Sequence, residues 1–481
     1  MYLFHISAFV LLALFVGAGL ITGRSGGGKK DYSLGGRSAG AAGVTGILLG
    51  ALVGGASTVG TVQMAYSYGL TAWWFTLGGG IGCLLLGLRF AAPLRDSGVA
   101  TIADYIERSY GGHESRCASA IAFTVTVSSS IGAFISICAQ FLACIALIRG
   151  AFPISPAAAA LVAAVSVWGF IAVGGMKSFS TLGEAKIVLL YIALLLCAGA
   201  ALFQSGGLAP LARALGFNPW FNLFGRGFVP EAGYLVSMIV GVFTTQIYIQ
   251  SLAAAKDART ARAGAFASAL LMPPMGLLGT LIGLSVRARG VEIAPDQVLS
   301  WFIMESFPPL AGGLLWGGIL ITVVGCAAGL ILGIATNISR NFIPRRIMEK
   351  YASKNSAIQQ LLVLAMIVTA ALSGLGGAGS MILEWSFMSM GLRGAGTFFP
   401  FVLAVLKPGL LSPRRALASC VGGLAAMLLW AFLGLKGDPL FAGLAFSALC
   451  TAPEFVQRRK YLHRSHAAKE RSSTPPPLRR R

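Results

Sequence analysis

Two apolar stretches of the sequence carry hydrogen-bonding residues that could bind a polar solute or an ion. In the stretch 43–68, glycines alternate with apolar residues and are followed by side chains with polar groups: Gly46, Gly50, Gly54, Gly55, Gly60, Ser57, Thr58, Thr61 and Gln63. Glycine weakens a helix and lets another backbone approach closely. Backbone carbonyls freed inside a membrane are tolerated only where protein or a water-filled cavity satisfies them. We predict a broken, cavity-lining helix; close packing of small residues between helices is the alternative.

A second polar cluster lies in the stretch 233–254. It consists of five residues within seven positions: Thr244, Thr245, Gln246, Tyr248 and Gln250. Such side chains are costly in lipid and should face the interior of a helix bundle. They could bind a solute or only hydrogen-bond between helices, and the same two interpretations apply to the serines at 128–130.

Four charged residues lie in or near apolar stretches: Glu184, Lys186, Glu384 and Arg393. Glu184 and Lys186 lie near a predicted helix end, where long side chains can snorkel to water. Arg393 lies deeper, so its partner must come from another helix or from a bound anion. An arginine inside a membrane is a candidate functional residue. If Arg393 contacts the solute, a solute that bears a carboxylate is favoured.

Enzymatic chemistry is not indicated by the sequence. The apolar stretches contain no paired carboxylates, no histidine cluster and no nucleophile with its base, and the chain has no phosphate-binding P-loop motif. The eight cysteines lie in or beside apolar stretches without the spacing of a metal site. We therefore expect neither an enzyme nor a resident cofactor, and we expect the cysteines to be reduced.

The composition indicates a membrane protein. Hydrophobic residues make up 56% of the chain and charged residues 11%, whereas soluble domains contain about 25% charged residues. A helix needs about 20 apolar residues to cross a bilayer. Thirteen stretches meet or approach this length: 2–22, 43–68, 70–92, 117–149, 153–173, 180–204, 233–254, 262–288, 310–342, 357–377, 381–406, 414–436 and 440–456.

The net charge of +21 follows membrane topology rather than a nucleic-acid-binding surface. With the N-terminus outside, 30 of the 37 Lys and Arg residues lie on the cytoplasmic side, six lie outside and Arg393 lies within a span. The positive-inside rule therefore predicts an external N-terminus and a cytoplasmic C-terminus. We expect a multi-pass protein of the cell (inner or plasma) membrane, with a basic, disordered tail facing anionic lipid.

The two polar helices are the second and the seventh spans, five apart, as in transporters built from inverted repeats. This spacing predicts six regions: an extra N-terminal helix and loop (1–42), a first repeat (43–204), an extracellular loop (205–232), a second repeat (233–406), two C-terminal helices (407–456) and the tail (457–481).

Five segments, in this order and spacing, resemble motifs of the sodium:solute symporter family, the relatives of the glucose, proline and pantothenate symporters. They are residues 31–38 (DYSLGGRS), 55–69 (GASTVGTVQMAYSYG), 100–111 (ATIADYIERSYG), 174–176 (GGM) and 250–257 (QSLAAAKD). The resemblance implies an all-α LeuT-like fold with five plus five helices in inverted repeat. Spans two to eleven would form its core.

The resemblance also implies a sodium site between the second and ninth spans. The backbone carbonyls of Gly50, Val53 and Thr322 would bind the ion, and the family's two hydroxyl ligands fall on Gly325 and Cys326. Sodium is a hard cation that prefers oxygen ligands, so a glycine and a thiol depart from the family pattern.

Further positions follow from the same resemblance. The aspartate on the family's ion exit route falls on Gly183, with Glu184 beside it as a possible stand-in, and the gating aromatic residue falls on Ile247, beside Tyr248. The expected substrate site combines both polar clusters with the intramembrane arginine: Gly54, Gly55, Ser57, Gln63, Thr245, Gln246, Tyr248 and Arg393.

The leading functional hypothesis is sodium-coupled symport of a small organic solute by alternating access. A proton-coupled or sodium-independent carrier with Glu184 or Glu384 as the titrating group is the main alternative, and a solute-binding membrane sensor is a third. The expected partners are the solute, sodium and the lipid bilayer, without nucleic acid, for a monomer or a weak homo-oligomer.

Overall fold

The computed structural model describes residues 2–24, 37–99, 101–111, 115–341 and 355–452, with the side chains of 15–24, 172–184, 336, 339–341 and 355–359 left aside. The loop 25–36 and the basic tail therefore lie outside the described residues. Within these ranges the regular elements are helices, as predicted. They are α1 (Tyr2–Arg24), α2 (Ala41–Leu52), α3 (Thr61–Tyr68), α4 (Trp74–Leu85), α5 (Ala91–Asp96), α6 (Ile102–Ser109), α7 (Arg116–Ala151), α8 (Pro156–Gln204), α9 (Leu208–Leu215), α10 (Phe228–Thr244), α11 (Gln246–Ala253), α12 (Ala258–Ala288), α13 (Val298–Ser306), α14 (Pro309–Asn341), α15 (Asn355–Gly376), α16 (Ile382–Gly394), α17 (Phe398–Leu406), α18 (Pro413–Phe432) and α19 (Pro439–Ala452).

Both helices that were expected to be broken are discontinuous. The first ends with α2, passes through extended backbone at Val53 (φ −97°, ψ 111°) and a π-helical turn at Ala56–Gly60, and resumes as α3. The second bends by 48° between α10 and α11, where Thr245 is extended (φ −91°, ψ 119°). These breaks confirm the discontinuous helices, while a solute-binding role of the two polar clusters stays a prediction.

Helix α8 covers two predicted spans, 153–173 and 180–204, in one run of 49 residues. A straight helix of that length would extend about 73 Å. Yet Leu147, shortly before α8, accepts a hydrogen bond from Ser300 (3.1 Å), while Gln204 at its end donates to Ser306 (3.0 Å). Both serines belong to the nine-residue helix α13. The chain must therefore reverse direction within α8, as two spans require.

The long helices form a bundle, and the first broken helix packs into it through contacts of α2 with α8, α12 and α14. Helix α14 packs against α7, α8 and α1, and α16 packs against α7 and α10. Among the described residues, six helices are long and apolar enough to cross a membrane, or up to eight if each bent pair is counted as one span, and five shorter apolar helices accompany them. The count of thirteen spans, the sidedness of the termini and the six-region division stay predictions.

Candidate functional site

Arg393 on α16 is fully buried at the centre of the bundle. Its guanidinium donates hydrogen bonds to the hydroxyls of Thr245 (2.6 Å) and Ser389 (2.7 Å), to the hydroxyl of Ser136 and to the carbonyl of Gly132 (3.3 Å). Tyr248 is a further hydrogen-bond partner. The guanidinium thus joins α7, α16 and the break between α10 and α11.

All of these partners of Arg393 are neutral. The Nε atom has no hydrogen-bond partner among the described residues, and within the described ranges the ion pairs of Glu384 and Glu231 are with Arg226 instead. A buried charge needs compensation by an opposite charge or by strong hydrogen bonds. The arrangement therefore suits an anionic group that would bring the missing negative charge.

The structure brings three predicted site residues together here: Thr245, Tyr248 and Arg393. Two further residues of this site, Ser136 and Ser389, were not predicted from the sequence; their hydroxyls lie 2.7 Å apart. A signal for them was present, since a serine in each of two apolar stretches must find a partner inside the bundle. The sequence did not show that the two helices would meet.

The glycine pair at the first helix break is tightly packed. The backbone N–H of Gly55 donates to Gln140 Oε1 (2.6 Å) on α7. A Cβ atom on Gly55 would lie 2.2 Å from Cβ of Ala143, and one on Gly54 would lie 2.5 Å from Cβ of Cys326. Ser57 and Thr58 satisfy the Gly54 carbonyl with hydroxyl hydrogen bonds of 3.0 and 2.8 Å. Close backbone approach thus explains both glycines.

The two glutamines of the predicted site connect elements. The amide of Gln63 donates to the Ser380 carbonyl and accepts from the Ile382 N–H, both at 3.0 Å, and so joins α3 to the start of α16. The Oε1 atom of Gln246 accepts from the Ile102 N–H (3.1 Å) at the start of α6. Both glutamines hold the broken helices against their neighbours.

Three of the residues assigned to sodium by resemblance, Gly50, Gly325 and Cys326, lie around an unexpected cation. Lys186 on α8 is 1% exposed, and its ammonium donates to the carbonyl of Gly50. The interpretation that this lysine snorkels to the surface is therefore wrong. Glu184 and Gly183 lie in the stretch of α8 whose side chains are not described, so their predicted roles stay predictions.

The remaining members of this predicted set offer few oxygen ligands. The thiol of Cys326 donates to the carbonyl of Ala51 (3.0 Å), and the hydroxyl of Thr322 donates to Gly318 within its own helix (2.9 Å). Gly325 offers no side chain. With the ammonium bound to the Gly50 carbonyl and no hydroxyl at positions 325 and 326, this donor set does not fit a sodium ion.

On one side of Arg393, a cluster that we call the outer cluster joins four parts of the chain: Tyr68, Arg226, Glu231, Tyr234 and Glu384. Arg226 Nε lies 3.3 Å from Glu231 Oε1, and its terminal nitrogen lies 3.6 Å from Glu384. The guanidinium also stacks 4.8 Å over the ring of Tyr68 and 4.9 Å over that of Tyr234. Glu231 is fully buried, so Arg226 supplies the opposite charge that a buried carboxylate needs.

On the opposite side, the family-like motif 250–257 contacts Ala39, which directly follows the motif 31–38, and Arg95. Ala39 donates to the Ala254 carbonyl (3.1 Å) and accepts from the Lys256 N–H (3.0 Å), and Arg95 donates to the Lys256 carbonyl (2.9 Å). Asp257 then caps α12 by accepting from the Thr260 N–H (2.7 Å), and this hydrogen bond lowers the pKa of its carboxyl group. On this side, Arg95 therefore connects the predicted first repeat (43–204) to the second (233–406), whereas in the outer cluster Arg226 of the intervening loop stacks on both Tyr68 and Tyr234.

Substitution Arg226→Gln is expected to lower the free energy of unfolding by about 3 kcal/mol, because breaking a buried pair leaves Glu231 as an uncompensated charge. Thermal unfolding in detergent measures this change as a lower melting temperature. The double variant Arg226→Gln with Glu231→Gln should recover most of the loss. Equal melting temperatures for the single variant and the wild type would contradict the pairing.

Comparisons with known proteins agree with this architecture. The model of the sodium:solute symporter family matches residues 32–408. The chain is 26% identical over 427 residues to the osmoregulated proline transporter of Bacillus subtilis, a match that covers 84% of each chain. It is also similar in structure to a sodium-coupled sialic acid symporter solved in a substrate-bound outward-open state. That match has a TM-score of 0.71 at 13% identity and covers 95% of this chain and 98% of the other.

Proposed function

Because this chain belongs to the sodium:solute symporter family, we propose that it carries a small carboxylate-bearing solute whose carboxylate binds Arg393. Membership confirms the predicted sodium-coupled symport of a small solute by alternating access, in a multi-pass protein of the plasma membrane. The predicted LeuT-like fold is confirmed by the structural likeness. Both relatives named above are transporters.

The observation that carries the proposal is the neutral surroundings of the buried Arg393 guanidinium. Arginine presents several N–H donors in a planar fork that matches the two oxygens of a carboxylate. Its Nε atom is free of described partners, and Thr245, whose hydroxyl accepts from the guanidinium, lies at the break between α10 and α11. The relative from Bacillus subtilis is named for proline, a small solute with one carboxylate.

Transport by alternating access then needs the contacts on the two sides of Arg393 to open in turn. The outer cluster would open toward one compartment, and the contacts of Ala39 with the segment 254–256 would open toward the other. The broken helices are suited to this movement, since a bend at Thr245 or Val53 can change without melting a whole helix. We propose that Gly54, Gly55, Gln63 and Gln246 support this site by their contacts with neighbouring helices, and that Ser57 supports it by its hydrogen bonds to Gly54 at the break.

We further propose that one chain embedded in the lipid bilayer, as a monomer or in a weak homo-oligomer, is sufficient for transport, without a nucleic-acid partner. Both repeats that enclose Arg393 belong to the same chain, so the solute site does not require a second copy.

Uptake into proteoliposomes tests the proposed function. Purified protein is reconstituted, and uptake of radiolabelled L-proline and a panel of other small carboxylates is measured with an inward sodium gradient and with choline instead. We expect accumulation of at least one carboxylate that requires sodium. Accumulation of neutral sugars or of amines only would contradict the proposal.

A further inference from the structure

The cation at the site that the resemblance assigns to sodium is part of the protein. Lys186 reaches from α8 to the carbonyl of Gly50, next to the break of the first discontinuous helix. We propose that the Lys186 ammonium takes the place of a sodium ion at this site, so that the sodium coupled to transport does not bind between α2 and α14. This inference concerns ion binding and is independent of the identity of the solute.

The glycine at position 325 leaves the space that the Lys186 side chain occupies. A Cβ atom added at Gly325 would lie 3.3 Å from both Cδ and Nζ of Lys186. A serine there, the residue type that would offer sodium a hydroxyl, would crowd the lysine. Glycine at 325 and lysine at 186 are therefore matched, because the missing side chain makes room for the long one.

The second expected hydroxyl position supports the same conclusion. Cys326 is buried, and its thiol is already committed to the carbonyl of Ala51. Sulfur is a poor ligand for a hard cation such as sodium. The thiol and the ammonium are close enough to interact electrostatically, so the titratable group facing Lys186 from α14 is a weak acid rather than a fixed carboxylate.

Charge repulsion prevents the Lys186 ammonium and a sodium ion from occupying this site together. The ammonium is already bound to the Gly50 carbonyl, which is one of the predicted sodium ligands. Two unit charges a few ångströms apart repel each other strongly where the effective dielectric constant is low. The tethered ammonium can join α8 to α2 and α14 as a bound ion would, but it cannot leave with the solute.

Counting bound sodium tests the proposal without any solute. Binding of radioactive sodium to purified protein is measured for the wild type, for Gly325→Ser with Cys326→Ser, for Lys186→Ala, and for the triple variant that combines all three substitutions. We expect the triple variant to bind one sodium ion more than the wild type. The double variant, which keeps the lysine, should bind the same number as the wild type.

The single variant Lys186→Ala covers the case in which the triple variant fails to fold. It should also gain one sodium ion, with weaker affinity, since the carbonyls of Gly50, Val53 and Thr322 stay while the hydroxyls are missing. Lys436→Ala, at an exposed loop position, is the matched control and should leave the count unchanged. The proposal would be overturned if neither Lys186→Ala nor the triple variant bound an additional sodium ion. It would also be overturned if the double variant, with Lys186 in place, bound one.

Discussion

Replacing Arg393 by glutamine is expected to raise the KM for a carboxylate solute by about 100-fold, because truncating one partner of a buried charge pair costs about 2–5 kcal/mol. Initial rates of uptake into proteoliposomes measure this effect. Arg393→Lys keeps the positive charge but loses the planar fork. We expect it to show an intermediate KM.

A matched substitution distinguishes the loss of the Arg393 binding site from the mere loss of one positive charge. Arg213→Gln removes an exposed arginine whose described hydrogen bond is to a carbonyl within its own helix. It should leave KM within about twofold of the wild type, as expected for a surface change. An Arg393→Gln protein that folds normally and transports the carboxylate with unchanged KM would exclude Arg393 as the carboxylate-binding residue.

Substitution of Gly55 by valine is expected to reduce uptake by about tenfold or more and to lower stability by about 1–3 kcal/mol, the usual cost of overpacking. The reason is the 2.2 Å approach of an added Cβ atom to Ala143. Relief of this clash would push the helix break away from α7 and strain the hydrogen bond to Gln140. Uptake and thermal unfolding are measured on the same preparation.

Gly199→Val is the control for the Gly55 substitution. Gly199 lies on α8 at an exposed position, and a Cβ atom there would meet no neighbour within 4 Å. Its uptake should stay close to that of the wild type. If the two valine variants transport equally well, close packing at Gly55 is not needed for transport.

The sequence predicted the broken helices well because their causes are local. Glycine at 54 and 55 and the polar run around Thr245 weaken a helix wherever it packs, so the breaks could be placed to within a few residues. The intramembrane position of Arg393 was also evident, since no cytoplasmic end lies near it. The cost of a buried charge made a partner from another helix or a bound anion necessary.

The partners themselves could not be predicted from the sequence. Ser136 and Thr245 are 257 and 148 positions away from Arg393, and their meeting depends on how α7, α10 and α16 pack. Lys186 was misjudged for the same reason. The end of an apolar stretch suggested access to water, whereas the neighbouring helices α2 and α14 enclose the side chain.

The hydrogen-bond partners of Gln63 and Gln246 could not be predicted from the sequence either. A polar side chain in an apolar stretch predicts a hydrogen bond inside the bundle, but it does not distinguish a solute from a backbone group. Gln63 and Gln246 use their amides on the backbone of Ile382 and Ile102. A hydrogen bond to a solute and one to a backbone group would satisfy a buried amide equally well, so only the tertiary structure distinguishes them.

The measurement that tests the central claim most directly is solute binding to the purified wild-type protein, with carboxylic acids and their amides compared in pairs. The pairs differ only in the charged group that Arg393 is proposed to bind, and L-proline with L-prolinamide is the first pair. In sodium, we predict that at least one acid raises the melting temperature while its amide does not, and that Arg393→Gln abolishes the difference. Equal stabilisation by the acid and the amide across all pairs would contradict the assignment of Arg393 as the carboxylate-binding residue.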